Sequence, residues 1–193
     1  MLPILIGAAL QFLFYGLSLA WVSAAVGLVG LYMMQQNELA YIDPLVDTYN
    51  RQYLNHILSS WANHEKTFAG VMLDVDRFKH INDSFGHSEG DRVLKDVTGI
   101  LKQSRRENER VFRFAGNEFI VLKLTAREDG LEEYMDQVAR KVEEYNRGDR
   151  PYQLSLFYGM SFFRTGELDH FMKEMDGRMY EMKAMHHAAE QEG

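Results

Sequence analysis

The sequence predicts an α+β fold in which helices pack on a mixed sheet. The first observation is that helical and strand-like patterns alternate along the chain. The second is a tight hairpin, because two strand-like runs face each other across AGNE at residues 115–118. The third is a change of composition at Asn37, after which about 155 residues remain, enough to bury their own core. The expected order is helix, strand, helix, hairpin, helix, strand, helix.

Hydrophobic spacing assigns the individual elements. Apolar residues at helical spacing predict helices over residues 51–64, 88–104, 131–145 and 166–189. Apolar runs with polar ends predict strands over residues 68–75, 110–114, 119–124 and 152–163. The last helix carries a stripe of methionines, which we expect to fill the core: Met172, Met175, Met179 and Met182.

The N-terminal segment, residues 1–36, is predicted to span a membrane. All 28 acidic and 21 basic residues lie between Glu38 and Gly193, so the segment is uncharged. Its length exceeds the about 20 apolar residues that a membrane helix needs. A single helix and a hairpin broken near Gly16 both fit, and a buried soluble helical hairpin is the alternative. We interpret residues 37–50 as a linker and residues 51–190 as one domain.

Composition excludes some functions. The net charge of −7 argues against a nucleic-acid surface, which would be basic, so no nucleic acid is expected as a partner. The chain has no cysteine, which excludes disulfides and cysteine chemistry and fits a reducing compartment.

Carboxylates at one strand end are candidates for a metal site. Asp74 and Asp76 end the strand of residues 68–75 and, at strand period two, point to the same face. If that strand pairs beside the hairpin, Glu118 at the hairpin tip converges with Asp74. Hard oxygen ligands suit Mg²⁺, which takes its other ligands from water and substrate phosphates, as in nucleotidyl transfer. An ordinary strand end beside a glycine turn is the alternative.

The segment RFKHINDSFGHSEGDRVL, residues 77–94, is a candidate nucleotide site. Asn82 and Asp91 flank a predicted loop around His87, and Lys79 supplies a nearby cation. A carboxylate can accept from the N1 and N2 hydrogens of guanine while an amide pairs with the rest of that edge. The structural alternatives are a turn at Asn82 and a first-turn helix acid at Asp91.

Together, DVDRFKHINDSFGHSEGDRVL at residues 74–94 and RFAGNEF at residues 113–119 resemble the GGDEF domain family of diguanylate cyclases. That family carries D-x-D-x-F-K-x-I-N-D-x-x-G-H-x-x-G-D and then R-x-G-G-(D/E)-E-F. DPLVDTYNRQYL and YEMKAMHH resemble its opening and closing segments, so the resemblance runs from Asp43 to about His187. It implies a nucleotidyl-cyclase-like palm, in which helices flank a mixed central sheet.

The resemblance implies that two GTP molecules are joined into cyclic di-GMP, with release of pyrophosphate, by two domains facing each other as a homodimer or heterodimer. The implied cofactor is Mg²⁺ or Mn²⁺, and its implied ligands are Asp74, the Val75 carbonyl and Asn117. The implied catalytic residues are Asn117, Glu118 and Lys79. The positions implied to bind GTP are Asn82, His87, Asp91 and Lys183. Membrane-bound members imply a cell-membrane location with the domain in the cytoplasm, where GTP is.

The signature turn departs from the family pattern at two positions. Gly116, Glu118 and Phe119 match, Ala115 replaces a glycine, and Asn117 replaces an acidic metal ligand that also accepts the proton of the 3′-hydroxyl. An amide cannot accept that proton at neutral pH, and loss of general-base assistance costs about 10²- to 10⁴-fold. We therefore expect impaired catalysis, with a fully active cyclase and a non-catalytic dimerisation module as alternatives.

Two further departures lie outside the turn. His187 stands where the family usually has an arginine. RENE, residues 106–109, stands where active members often carry the R-x-x-D motif for product inhibition. Its glutamate can imitate the aspartate but is one methylene longer, so the sequence leaves product inhibition open.

Overall fold

The computed structural model describes residues 5–6, 9, 19–39, 41–105 and 108–192, and the chain divides into two compact units at Tyr41 and Ile42. The first unit contains helix α1, Leu19–Leu39. Side chains between Trp21 and Met33 are mostly exposed, Trp21 by 80%. Within the described ranges, no helix has both the length and the hydropathy needed to cross a bilayer. The predicted membrane helix is thus not found there, and most of residues 1–18 lie outside these ranges.

The second unit is a six-stranded sheet with helices on both faces. In chain order its elements are β1 Ile42–Asp43, β2 Thr48–Asn50, α2 Arg51–Asn63, β3 Phe68–Val75, α3 Phe78–Phe85, α4 His87–Gln103, β4 Glu109–Ala115, β5 Glu118–Leu124, α5 Glu132–Asn146, β6 Leu156–Phe163 and α6 Leu168–Glu192. The strand order is β1-β2-β4-β5-β3-β6. Strands β2 and β4 are parallel and the other neighbours are antiparallel, which confirms the predicted α+β fold with a mixed sheet.

Strand β3 lies inside the sheet and is covered on both faces, because all of its residues are buried. Val71 and Leu73 point into the core formed with α4 and α5. Phe68 and Met72 point into the opposite core, formed with α2 and α6. This alternation explains the continuous apolar run in the sequence, and it places Asp74 on the same face as α6.

The methionine stripe of α6 has the predicted role in part. Met175 and Met179 are buried in the core beneath α6, and Met172 packs against it. Met182, nearer the end of the helix, is 38% exposed. Its sulfur accepts a 3.4 Å hydrogen bond from the Tyr158 backbone N–H, so it still holds the helix to β6.

Helix α6 approaches β6 closely because Gly159 has no side chain. A Cβ at Gly159 would lie 2.5 Å from the Met179 backbone nitrogen and would overlap the Met175 carbonyl. The contact brings the later turns of α6, with Lys183 and His187, to the end of β3. Gly159 thus links the packing of the core to the geometry of the site.

The structure differs from the sequence prediction in three segments. The predicted linker contributes β1 and β2, which are too short to show a period. The predicted loop around His87 is helical: α3 ends at Phe85, Gly86 has φ +87°, and α4 begins at His87. Strand β6 begins at Leu156, not Tyr152. The Asn146 amide bonds both the N–H and the carbonyl of Leu154, at 2.7 and 2.8 Å, so these groups cannot join the sheet.

Candidate active site

The carboxylates converge as the sequence predicts. Strand β3 pairs with β5 so that Asp74 and Glu118 are direct cross-strand partners. Asp74 and Asp76 are 8% and 7% exposed. Burial raises the pKa of Glu118 above its ordinary value, Asp74 and Asp176 raise that pKa further, and Lys183 and Arg51 oppose them. The end of β3 therefore concentrates negative charge that must be compensated.

Compensation comes first from α6. The Lys183 ammonium donates to Asp74 Oδ1 at 2.9 Å, and His187 Nε2 lies 3.3 Å from Asp76 Oδ1. Lys183 and His187 are one helical turn apart, so a pair of cationic or donor side chains faces two carboxylates, Asp74 on β3 and Asp76 just after its end. The ring of Phe157 packs under both, 5.8 Å from the Lys183 nitrogen and 5.6 Å from the His187 ring.

Asn117 provides the second compensation. Its Nδ2 donates to Asp74 Oδ2 at 2.9 Å and to the Val75 carbonyl at 3.0 Å. The backbone also closes this contact, since the Val75 N–H donates to the Asn117 carbonyl at 3.2 Å. Asp74 and the Val75 carbonyl are two of the groups that the resemblance assigns to a metal ion, and here both accept from one amide.

The signature turn is fixed by Arg113 and Asp43. The Arg113 guanidinium donates to the Gly116 carbonyl at 3.1 and 2.9 Å and to both carboxylate oxygens of Asp43 at 3.1 Å. Asp43 in turn accepts from the backbone N–H groups of Leu45 and Val46 at 3.0 and 3.2 Å. The turn is thereby tied to the start of the folded unit, 70 residues away in sequence.

Within the turn, each signature residue has a separate structural position. Gly116 has φ +37°, in the region that favours glycine. A β-bulge between Arg113 and Ala115 precedes it, and Ala115 is exposed, so its methyl group meets no crowding. Phe119 is fully buried in the core and contributes packing, not chemistry.

A pocket of about 510 Å³ opens beside these groups. Seven of the sequence-predicted site residues line it: Asp74, Val75, Lys79, Asn82, His87, Asn117 and Lys183. It brings together side chains from β3, α3, α4, the β4–β5 turn and α6. Eight of its ten lining residues are polar or charged, and the cations among them are Arg77, Lys79 and Lys183, which suits a phosphorylated ligand.

The guanine-binding candidates share the α3–α4 corner. A Cβ at Gly90 would overlap the Asn82 side-chain oxygen and lie 2.9 Å from Asn82 Cγ, so the missing side chain at Gly90 leaves room for the Asn82 amide. Asp91 is exposed and does not line the pocket. It follows His87 by four residues on α4, which puts both on the same side of the helix.

Sequence reasoning did not single out Arg77, Phe78 and Asp83, which also line the pocket. Arg77 has φ +51° where β3 turns into α3, and its guanidinium lies 3.7 Å from Asp76. Asp43 was also not predicted as a site residue, although it opens the segment DPLVDTYNRQYL that resembles the start of the family pattern. For the product-inhibition motif, Arg106 and Glu107 lie outside the described residues, and the Glu109 carboxylate is buried and accepts from Lys123 at 2.9 Å.

The donor set does not fit a protein-held divalent cation. One oxygen of Asp74 accepts from Lys183 and the other accepts from Asn117. The Val75 carbonyl also accepts from Asn117. Of the two other carboxylates at this strand end, Asp76 contacts His187, and burial raises the pKa of Glu118. Over the described ranges, no three side chains of His, Asp or Glu are placed to share an ion. A dication would meet an ammonium and an amide N–H at its expected position.

The family model described as diguanylate cyclase, GGDEF domain, matches residues 40–188. The chain therefore belongs to the GGDEF family of diguanylate cyclases, a family of nucleotidyltransferases. It is similar to the probable diguanylate cyclase DgcT of Escherichia coli (strain K12), with 33% identity over 115 residues, 58% of this chain and 25% of that protein. The chain thus spans only a quarter of the length of this relative.

Two solved structures share the fold. The diguanylate cyclase SiaD of Pseudomonas aeruginosa, in complex with its activator SiaC, is 26% identical and superposes with a TM-score of 0.68, over 84% of this chain and 67% of that chain. The coiled coil and GGDEF domain of DgcB from Caulobacter crescentus, in complex with c-di-GMP, is 22% identical with a TM-score of 0.73, over 86% and 92%. The second likeness concerns the fold alone.

Proposed function

We propose that this protein is a GTP-binding member of the diguanylate cyclase family, acting in cyclic di-GMP signalling with low catalytic activity. The observation that carries the proposal is the Asn117 amide, which donates to Asp74 and Val75 inside a pocket that is also lined by Lys79, Asn82, His87 and Lys183. Binding groups are kept, and the proton acceptor of the signature turn is replaced by a donor.

Binding of GTP divides between two ends of the pocket. At the α3–α4 corner, Asn82 lines the pocket and offers its amide to the edge of guanine. Asp91 lies outside the pocket lining, on the same side of α4 as His87, and its carboxylate would complete the recognition of that edge. At the other end, Lys79 and Lys183 supply positive charge for the phosphates. Mg²⁺ or Mn²⁺ enters this proposal as an ion carried by the phosphates of GTP.

Low activity follows from the chemistry of position 117. Cyclisation requires removal of the 3′-hydroxyl proton, and the Asn117 amide nitrogen points at Asp74 with its hydrogens already donated. Glu118 is close, but it is half-buried beside its cross-strand neighbour Asp74, and both burial and the Asp74 carboxylate disfavour its negative charge. The expected loss from missing general-base assistance is about 10²- to 10⁴-fold.

Cyclisation of two GTP molecules also requires a second domain. Each pocket has room for one nucleotide, and joining two GTP molecules requires two pockets to face each other, in a homodimer or with an active relative. In the heterodimer, this chain would dock against the active relative, either with GTP bound or without it.

We further propose a cell-membrane location with the GGDEF domain in the cytoplasm. The absence of charge through Asn37 and the exposed apolar side chains between Trp21 and Met33 support it. Fractionation of cells that express the whole chain tests it. Recovery of the protein from the soluble fraction at low and high salt would contradict it.

The main test is calorimetric titration of the full chain with GTP in Mg²⁺, together with chromatographic measurement of cyclic di-GMP and pyrophosphate. We expect the chain to bind GTP and to form product more slowly than active members do. Asp91→Ala should weaken GTP binding about tenfold or more, because hydrogen bonds to charged groups contribute ~1.5–3 kcal/mol. Asn82→Ala should weaken it about 2- to 12-fold, because hydrogen bonds between neutral groups contribute ~0.5–1.5 kcal/mol. Full cyclase activity would contradict the impaired site, and absence of GTP binding would leave only an interaction module.

A further inference from the structure

We infer that the side-chain amide of Asn117 takes the place of a protein-held divalent cation, so that the site assembles, and binds its nucleotide, without one. The part concerning nucleotide rests on the proposed GTP binding. The part concerning assembly stands on the contacts of Asn117 alone.

The hydrogen-bond count at Asn117 is complete. Its Nδ2 carries two hydrogens, and two acceptors lie within reach, Asp74 Oδ2 at 2.9 Å and the Val75 carbonyl at 3.0 Å. Neither acceptor carries a hydrogen, so the reverse amide orientation would set oxygen against oxygen. The nitrogen of Asn117 is therefore fixed toward the two groups that a metal ion would otherwise join.

The charge of Asp74 is also paired. The second oxygen of Asp74 accepts from the Lys183 ammonium at 2.9 Å, which forms a one-to-one ion pair. A dication at Asp74 would have to displace an amide N–H on one oxygen and tolerate an ammonium on the other. With a carboxylate at position 117 the balance reverses, because two acids would then face one lysine beside Glu118.

The buried carboxylate of Asp74 is stabilised by partners within this chain. Asp74 is 8% exposed, and a buried carboxylate is stable when its oxygens are hydrogen-bonded and its charge is paired. Both conditions are met by side chains of this chain. Rotation of Asn117 to admit an ion would leave its half-buried amide nitrogen without these two acceptors. Binding of the ion therefore competes with the hydrogen bonds to Asp74 and Val75.

The alternative is that a divalent cation displaces the Asn117 amide and binds Asp74 and the Val75 carbonyl in its place. The two explanations differ in what Mg²⁺ or Mn²⁺ alone does to the full chain, with no nucleotide present. Thermal unfolding in EDTA, in Mg²⁺ and in Mn²⁺ distinguishes them. We expect the same Tm in all three for the natural chain. A Tm that rises with Mn²⁺ and saturates would overturn the inference.

The variant Asn117→Asp makes the test two-sided. In EDTA it should lose about 2–4 °C or more in Tm, since it puts two carboxylates in contact, and Mg²⁺ or Mn²⁺ should restore the loss. Asn117→Ala should lose stability with no response to either ion. Asn63→Asp, an exposed change of the same type at the end of α2, controls for added charge. No cation response in Asn117→Asp would also overturn the inference.

GTP titrations in EDTA and in Mg²⁺ test the nucleotide part. We expect similar Kd values, whereas coupled ligands typically change each other's affinity about 5- to 150-fold. GTP binding that needs Mg²⁺ would overturn the inference and leave the proposed function in place. No GTP binding in either buffer, with the expected cation responses, would overturn the proposed function and limit the inference to assembly.

Discussion

The Asn117 amide and the Asp74 carboxylate form a 2.9 Å hydrogen bond that joins the signature turn to the end of β3. A second bond of the same nitrogen reaches the Val75 carbonyl at 3.0 Å. The amide thus acts as a donor where the family resemblance places an acceptor. Relative to the family pattern, Asn117 lacks both the carboxylate that would take a proton and the charge that would attract a metal ion, so we expect chemistry and cation binding to change together.

Asn117→Asp should raise cyclic di-GMP formation in Mg²⁺. Restoring a general base is expected to gain about 10²-fold or more, provided that two domains meet. The measurement is product formed per domain over time, with Asn63→Asp as the control for an added negative charge. Equal rates for Asn117→Asp and the natural chain would locate the deficit elsewhere, with His187 as the next residue to test.

Gly90→Ala should weaken GTP binding by displacing Asn82. The added Cβ would overlap the Asn82 side-chain oxygen, so the amide must leave the position that faces the pocket. Gly99→Ala, in the same helix with no atom within 4 Å of its Cβ, is the matched control. It should keep GTP affinity and gain about 0.5–1 kcal/mol of helix stability. Equal effects of the two variants on GTP affinity would show that Gly90 matters only as a glycine in a helix.

The parts of the site that depend on neighbouring strands could be predicted from the sequence. Period two placed Asp74 and Asp76 on one face, and the hairpin placed Glu118 beside Asp74, as the register confirms. Contacts made by α6 could not be predicted in this way. Lys183 is 109 residues from Asp74, and their meeting depends on how closely α6 packs at Gly159.

Hydrogen-bond direction was the other missing information. The sequence shows that Asn117 lacks a negative charge, but an amide has an acceptor end and a donor end. Which end faces Asp74 depends on the Val75 carbonyl, whose position follows from the pairing of β3 with β5. Likewise, β1 and β2 were missed because strands of two and three residues show no periodicity.

Arg113→Lys should destabilise the signature turn. Lysine keeps the charge but cannot donate to Gly116 and to both oxygens of Asp43 at once. Both side chains of the pair are largely buried, at 17% and 19% exposed, so we expect a loss of about 1–3 kcal/mol in the free energy of unfolding. Urea unfolding measures it. Arg164→Lys, in an exposed pair with Glu128, should change stability by less than about 1 kcal/mol.

A double-mutant cycle with Asp43→Asn separates the ion pair from the bonds to Gly116. The double variant should lose less stability than the sum of the two single variants, because each substitution already removes the partner of the other residue. Additive effects of the two substitutions would contradict the assignment of the pair as the anchor of the turn.

Glu118→Gln should make stability less sensitive to pH. Burial, followed by Asp74, raises the folded-state pKa of Glu118 above its ordinary value of 4.5. The folded state therefore holds this proton more tightly than the unfolded chain does. The stabilising contribution is complete below the ordinary value and is lost as pH rises through the raised folded pKa. Glutamine stays neutral, so its stability relative to glutamate should increase over that range and then level off.

Urea unfolding at a series of pH values in EDTA measures this difference. Glu144→Gln, an exposed change on α5, controls for the loss of one negative charge. If Glu118→Gln and the natural chain differ by a constant free energy of unfolding at every pH, neither burial nor Asp74 raises the folded-state pKa of Glu118.

Gly159→Ala should damage both the fold and the site. Its Cβ would lie 2.5 Å from the Met179 nitrogen and overlap the Met175 carbonyl, so α6 must move away from β6, at a cost of about 1–3 kcal/mol. Because the same helix carries Lys183, GTP binding should weaken as well. Gly177→Ala, on the exposed side of α6 with no atom within 4 Å, should instead stabilise the helix and leave GTP affinity unchanged. Thermal unfolding and GTP titration of the two variants check both effects, and loss of stability without loss of affinity would mean that Lys183 reaches Asp74 independently of this contact.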